Sequence, residues 1–185
     1  MNAIPTPAAD DAPVQEFSHC HDSIFAQLTA LARLPELARA ALQARHVAET
    51  SERFMREVVL VHHAEEEQEL FPAVLQSARA GAERDKVQAL VERLTRDHRE
   101  VEHAWSQLAP QVHAVARGRE GTIDAARLAA FVARYRAHAE HEEKVFLPLA
   151  SAILGRNGNH MAALGLSLHA RHALPEVLRR FGTAL

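Results

Sequence analysis

Apolar residues recur every three or four positions along most of this chain, and no stretch alternates with the period of two that marks a strand. Phe17, Ile24, Phe25, Leu28 and Leu31 form a first stripe, which predicts a helix beginning near 14–18. Pro35 either kinks this helix or opens a new segment at Glu36, because proline lacks a donor and crowds the preceding turn. Leu37, Ala41 and Leu42 carry the pattern on to about residue 45. Thr50 or Ser51 then offers a cap for a second helix, through Phe54, Val58, Val61 and Leu70 to about residue 79, with Gly81 as its terminator. A third stripe of Val87, Leu90, Val91, Leu94, Val101, Trp105, Leu108 and Val112 predicts a helix over 83–116, bent at Pro110. Gly118 and Gly121 mark a turn, and Thr122 or Asp124 caps a fourth helix to about residue 154, through Leu128, Phe131, Val132, Tyr135, Val145 and Leu149. A shorter tail helix is expected over 161–180, broken by Pro175.

Amphipathic helices joined by short connections pack most simply as an all-α, antiparallel up-down-up-down four-helix bundle. The expected organisation is a disordered arm over 1–13, the bundle over 14–154, and a loop with a short C-terminal extra helix over 155–185, packed on or near the bundle.

Composition narrows the chemistry. At 185 residues the chain suits one well-cored domain, and nine aromatic residues leave that core largely aliphatic. A formal charge of −3 argues against nucleic acid as a partner, since no basic excess is available for phosphates. Cys20 is the single cysteine, which excludes an intrachain disulfide and a thiolate cage; it reads as a small buried residue. No apolar run reaches the length of a membrane span, and the N-terminal residues lack the apolar core of a signal peptide, so a soluble cytoplasmic protein is expected. The outlier is histidine: thirteen residues, clustered rather than scattered.

The cluster has a repeat. His62 is followed four residues later by Glu66 and ten residues later by Pro72, and His138, Glu142 and Pro148 reproduce the arrangement 76 residues on. Positions four apart on a helix share a face, so each copy aims an imidazole and a carboxylate one way. His21 precedes His62 by 41 residues, and His98 precedes His138 by 40. Either pair alone would read as a solvated helix pair; two copies with matched upstream histidines predict a metal site with pseudo-twofold geometry. Four imidazoles and two carboxylates suit iron or manganese better than magnesium or calcium. If Glu66 and Glu142 each bridge two ions, every ion receives two histidines and keeps a position for a small exogenous ligand.

On these residues the chain resembles the hemerythrin-like, HHE-type cation-binding domains over about 17–152. The resemblance implies a four-helix bundle with a non-haem centre of two iron ions, oxo- or hydroxo- and carboxylate-bridged, with manganese or zinc as possible substitutes. It implies His21 as the first-helix ligand, His62 and Glu66 from the second, His98 from the third, and His138 and Glu142 from the fourth. Animal members carry a further histidine where this chain has Glu102, and an aspartate one residue beyond the position of Glu142. These departures fit the glutamate-rich bacterial branch and point to redox reactivity or sensing rather than oxygen carriage. Glu102 can ligate or can pair with an arginine at the bundle edge. The implied partner is a small diatomic ligand or peroxide. A di-iron oxidoreductase acting on peroxide or nitric oxide or repairing iron centres is the enzyme alternative, and iron storage or delivery is a third class.

The remaining polar residues take plainer expectations. Glu65, Glu67, Glu69, Glu140 and Glu143 read as a solvated face, and His63 and His141 as surface groups or partners of ligands. Trp105 and Tyr135 read as core, with Tyr135 placed to donate to a bound ligand. His169 and His172, three apart, read as surface residues. Glu16 with His19 and Glu100 with His103 match a ferritin-like Glu-x-x-His pattern, but at the wrong spacing and in the wrong order.

Overall fold

The computed structural model describes residues 12–119 and 121–156, with side chains from residue 20 onward. The expected C-terminal helix, with His160, His169 and His172, lies outside the described residues, as do the side chain of His19 and the expected arm up to residue 11; Ala12 and Pro13, placed in that arm from sequence, are helical. Four helical runs and no strand occur among the described residues. Helix α1 is Ala12–Ala32. A single turn residue, Arg33, separates it from α2, which starts at Leu34 and places Pro35 in its first turn, where the missing donor costs nothing. Helix α2 continues unbroken over 34–77, so neither Thr50 nor Ser51 caps a new helix. Helix α3 is Ala82–Ala116 and keeps Pro110 inside it. Helix α4 covers 125–154, and Asp124 caps it by accepting from the Arg127 backbone N–H at 3.0 Å. Gly81, at φ +87°, supplies the left-handed residue that the tight turn between α2 and α3 requires.

The chain divides into two compact units, Met1–Gln43 and Ala44–Leu185, with the boundary inside α2. In the first unit, α1 carries His21 one turn before Phe25, their rings 6.4 Å apart. Cys20 is exposed, against the expectation of burial.

In the second unit, the end of α2, α3 and α4 pack about two principal apolar clusters. One joins Phe71, Val74, Val87, Leu94, Phe146, Ala150 and Ile153. The other joins Met55, Val59, Val101, Leu108 and Phe131. Along each helix the positions between these clusters are polar: His63 and Glu66 on α2, His98 on α3, His138 and Glu142 on α4. The fold therefore sandwiches a polar layer between two apolar ones.

Local backbone geometry marks the same level. A π turn occupies Glu66–Leu70 and another Glu142–Phe146, each starting at the repeated glutamate. In these turns the N–H of Phe71 reaches back to the carbonyl of Glu66, and that of Leu147 to Glu142. The repeated proline gives the reason. Pro72 and Pro148 have no N–H and would crowd the carbonyls four residues back, at Gln68 and Lys144; a widened turn at those residues removes the clash. The π turn also resets the buried stripe, which runs Val59, His63, Glu66 and then steps five residues to Phe71 before Val74.

Candidate metal centre

Among the described residues, six polar side chains are buried in the second unit: His63, Glu65, Glu66, His98, His138 and Glu142. Two groups among the described residues bring potential ligand atoms within 4.8 Å of one another. The first is His63, His98 and His138, one imidazole from each helix, all buried. The second is His62, Glu66 and Glu142, in which His62 stays half-exposed. Glu66 connects the groups, with Oε1 3.4 Å from His62 Nε2 and Oε2 3.3 Å from His98 Nε2. His138 Nε2 lies 3.8 Å from Glu142 Oε2.

The imidazoles of His63 and His98 stack with their planes 3° apart and centroids 4.0 Å apart, and the ring of His138 stands edge-on to both. Their outer nitrogens are held by carboxylates. His98 Nδ1 donates to Glu67 Oε1 at 2.8 Å, and His63 Nδ1 donates to Glu102 Oε1 at 3.1 Å. A neutral imidazole that donates from Nδ1 has its lone pair on Nε2. His63 Nε2 and His138 Nδ1 are buried without a hydrogen-bond partner, and His98 Nε2 and Glu66 Oε2 meet each other at 3.3 Å. Buried polar atoms are almost always satisfied. Imidazole nitrogens left over in one buried layer beside two carboxylates could hold a metal cation, and that donor type suits a first-row metal.

Among the three imidazoles, His138 and His63 are shifted toward the neutral, metal-binding form and His98 away from it. Burial, followed by the neighbouring His98 and His63, lowers His138 to about 4, so its imidazole is neutral. Burial and His98 lower His63 as well. Burial also disfavours a charged His98, but Glu66 and Glu67 outweigh it and raise the group. The two carboxyls behave as a coupled pair. Burial alone would raise Glu66, yet His98, the Glu142 carboxyl and His62 bring it down. Burial and the negative Glu66 push Glu142 up. Without a cation, one carboxyl of the pair keeps its proton on Glu142. Tyr135 packs against both His63 and His138, with centroids 6.2 and 6.0 Å away, and burial together with Glu66 and Glu142 raises its hydroxyl.

The structure thus draws together five of the residues singled out from sequence, His62, Glu66, His98, His138 and Glu142. His21 lies on α1, in the first unit. Glu102 has both oxygens engaged, one by His63 and the other by Arg99 Nη1 at 2.8 Å, and so takes up the arginine pairing.

Three expectations are corrected. His63 is 1% exposed, not a surface group. Glu65 is buried, and Glu67 is bonded to His98 and Arg99, so neither belongs to a solvated face. The helical period held the signal for His63, because Val59, His63 and Glu66 stand at i, i+4 and i+7. For Glu67, no sequence signal connects it to His98, 31 residues away. Glu140, paired with Lys144, and Glu143 remain exposed as expected. Trp105 packs on Phe131 in the apolar cluster, as expected of core.

Comparison with known proteins gives one finding. The family model described as Hemerythrin HHE cation binding domain matches residues 12–150. No curated protein and no solved structure matches the chain.

Proposed function

Since the chain belongs to the hemerythrin HHE cation-binding family, we propose that its buried layer is a non-haem di-iron centre that binds or senses a small oxidant: dioxygen, nitric oxide or peroxide. The observation that carries this reading is the pair of three-residue groups, each with its potential ligand atoms within 4.8 Å of one another and linked through Glu66. His63, His98 and His138 would hold one ion, and His62, Glu66 and Glu142 the other. His21 enters the proposal from the sequence pattern, as a histidine matched to His98. Iron in such a site supplies redox-active Lewis acidity, and manganese or zinc could substitute for it.

The chain's own groups prepare the site. The low pKa of His138 presents a neutral imidazole at physiological pH. Glu142 holds a proton that must leave as a cation enters, so binding should release protons and weaken in acid. Phe71 stacks beside His98 and meets Phe146 edge-on, closing one side of the layer to water. Tyr135 borders the other side, within the raised field of the carboxylates. No helix among the described residues is long and apolar enough to cross a membrane.

The test is elemental analysis of protein reconstituted anaerobically with ferrous iron, followed by optical spectra before and after oxygen, peroxide and nitric oxide. About two irons per chain and a ligand-dependent spectrum support the reading. Trace iron, or full iron retention by a His98→Ala variant, would sink it. Steady-state peroxide turnover would move the protein to the oxidoreductases, and a stoichiometry far above two would move it to iron storage.

A further inference from the structure

Arg99 lies one residue past His98 on α3 and is 57% exposed, yet it touches both carboxylates behind the histidine pair. Its Nη1 donates to Glu102 Oε2 at 2.8 Å, and its Nη2 donates to Glu67 Oε2. The other oxygen of each carboxylate accepts from an imidazole: Glu67 Oε1 from His98 and Glu102 Oε1 from His63. The result is a closed chain across two helices, from His98 through Glu67, Arg99 and Glu102 to His63. The two imidazoles at its ends are the parallel pair stacked at 4.0 Å.

We propose that Arg99 is a positioning residue for the metal centre, its single guanidinium clamping the Glu67 and Glu102 carboxylates that hold the Nδ1 sides of His98 and His63. The inference rests on the metal-binding reading above and adds a part that the ligand set does not contain. Guanidinium geometry explains the choice of residue. A planar fork can give one N–H to each of two carboxylates, whereas an ammonium is a point donor. The clamp also offsets the repulsion between two carboxylates gathered at one edge of the site. With the clamp in place, both imidazoles keep Nδ1 as donor and Nε2 turned toward the cluster. Without it, Glu67 and Glu102 are free to turn to water, and both rings lose their outer hydrogen bond. Exposed ion pairs contribute little to folding, so the consequence should fall on the metal site and not on stability.

The sign of the effect separates positioning from simple charge. Removing a positive charge beside a cation site, by electrostatics alone, tightens cation binding. Loss of positioning weakens it, by roughly 10- to 100-fold for a partner of a ligating histidine. The experiment is titration of the full-length apo-protein with Co(II), read by chelator competition and by the ligand-field spectrum. Arg99→Gln should bind Co(II) roughly 10- to 100-fold more weakly, with altered ligand-field bands, while its thermal melting without metal stays at the wild-type value. Arg99→Lys should fall between the two. Arg134→Gln, which removes an exposed arginine paired with Glu100, should bind as the wild type does. In a Glu67→Ala/Glu102→Ala background, Arg99→Gln should cause no further loss, because its route to the rings is already gone. Equal or tighter Co(II) binding by Arg99→Gln, or a full additional loss in the double-alanine background, overturns the clamp and leaves the metal site standing. Failure of the wild type to bind Co(II) overturns both.

Discussion

At the scale of single residues, the centre is a set of buried groups whose charge states depend on one another. His138 is the clearest case. Its pKa is lowered to about 4 in the folded chain, below the unfolded value of 6.5. Between those values the unfolded chain binds the proton and the folded one does not, so acid favours unfolding. The stability tied to a neutral His138 is present in full above about pH 6.5 and is lost as the pH falls toward 4. The ceiling on this loss is about 3 kcal/mol. Glu142, held protonated, acts in the opposite sense, so total stability is the wrong quantity to read. The difference between metal-free wild type and His138→Gln isolates the imidazole. Denaturant unfolding at stepped pH should show the wild type losing up to about 3 kcal/mol against the variant between pH 6.5 and 4. A pH-independent difference would show that His138 titrates normally.

At the scale of elements, the helices owe their phase to the π turns that begin at Glu66 and Glu142. An ideal α-helix would carry the buried stripe from Glu66 to Leu70. The wider turn instead buries Phe71, which packs edge-on against Phe146. One extra residue thus lets a single helix face both the polar layer and the apolar layer next to it. Inserting one alanine after Gln68 should rotate everything beyond it by about 100° relative to Glu66. Either Phe71 leaves the core or Glu66 leaves the centre. Burial of a phenylalanine contributes about 3–5 kcal/mol, so the variant should melt well below the wild type and retain no metal. Wild-type stability together with wild-type metal content would show that the turn is incidental. The same element explains why Thr50 and Ser51 misled: they are good caps, but no glycine or proline near them breaks the helix, which runs on through 34–77.

For the molecule as a whole, metal and fold should be linked. The second unit encloses a layer of unsatisfied nitrogens and oxygens between apolar clusters, an arrangement that is costly when empty of a cation. A ligand that binds only the folded state stabilises it by mass action, about 2.7 kcal/mol at a hundredfold excess over Kd. Calorimetry of chelator-stripped and iron-loaded protein should therefore show a rise of several degrees in Tm that grows with free iron. An unchanged Tm at saturating iron would mean that the cation sits outside the folded layer.

The sequence by itself determined the helical class, the repeat and most of the residues that meet in the buried polar layer. Helical spacing is local physics: His62 with Glu66, and His138 with Glu142, share faces wherever the chain is helical. The 76-residue repeat, with His98 between its two copies, then marked the level at which those faces meet. What only the tertiary structure decided is how each helix is rotated about its axis. That rotation depends on π turns and on packing between distant segments, which no local pattern records. It turned His63 inward beside His98 and left His62 half-exposed, it brought Glu67 to a histidine 31 residues away, and it gave Arg99 both carboxylates at once. The repeated histidine–glutamate pairs were legible because one helix turn is enough to align them; His63 and the carboxylates behind the histidine pair were not, because they meet their neighbours only when two helices pack.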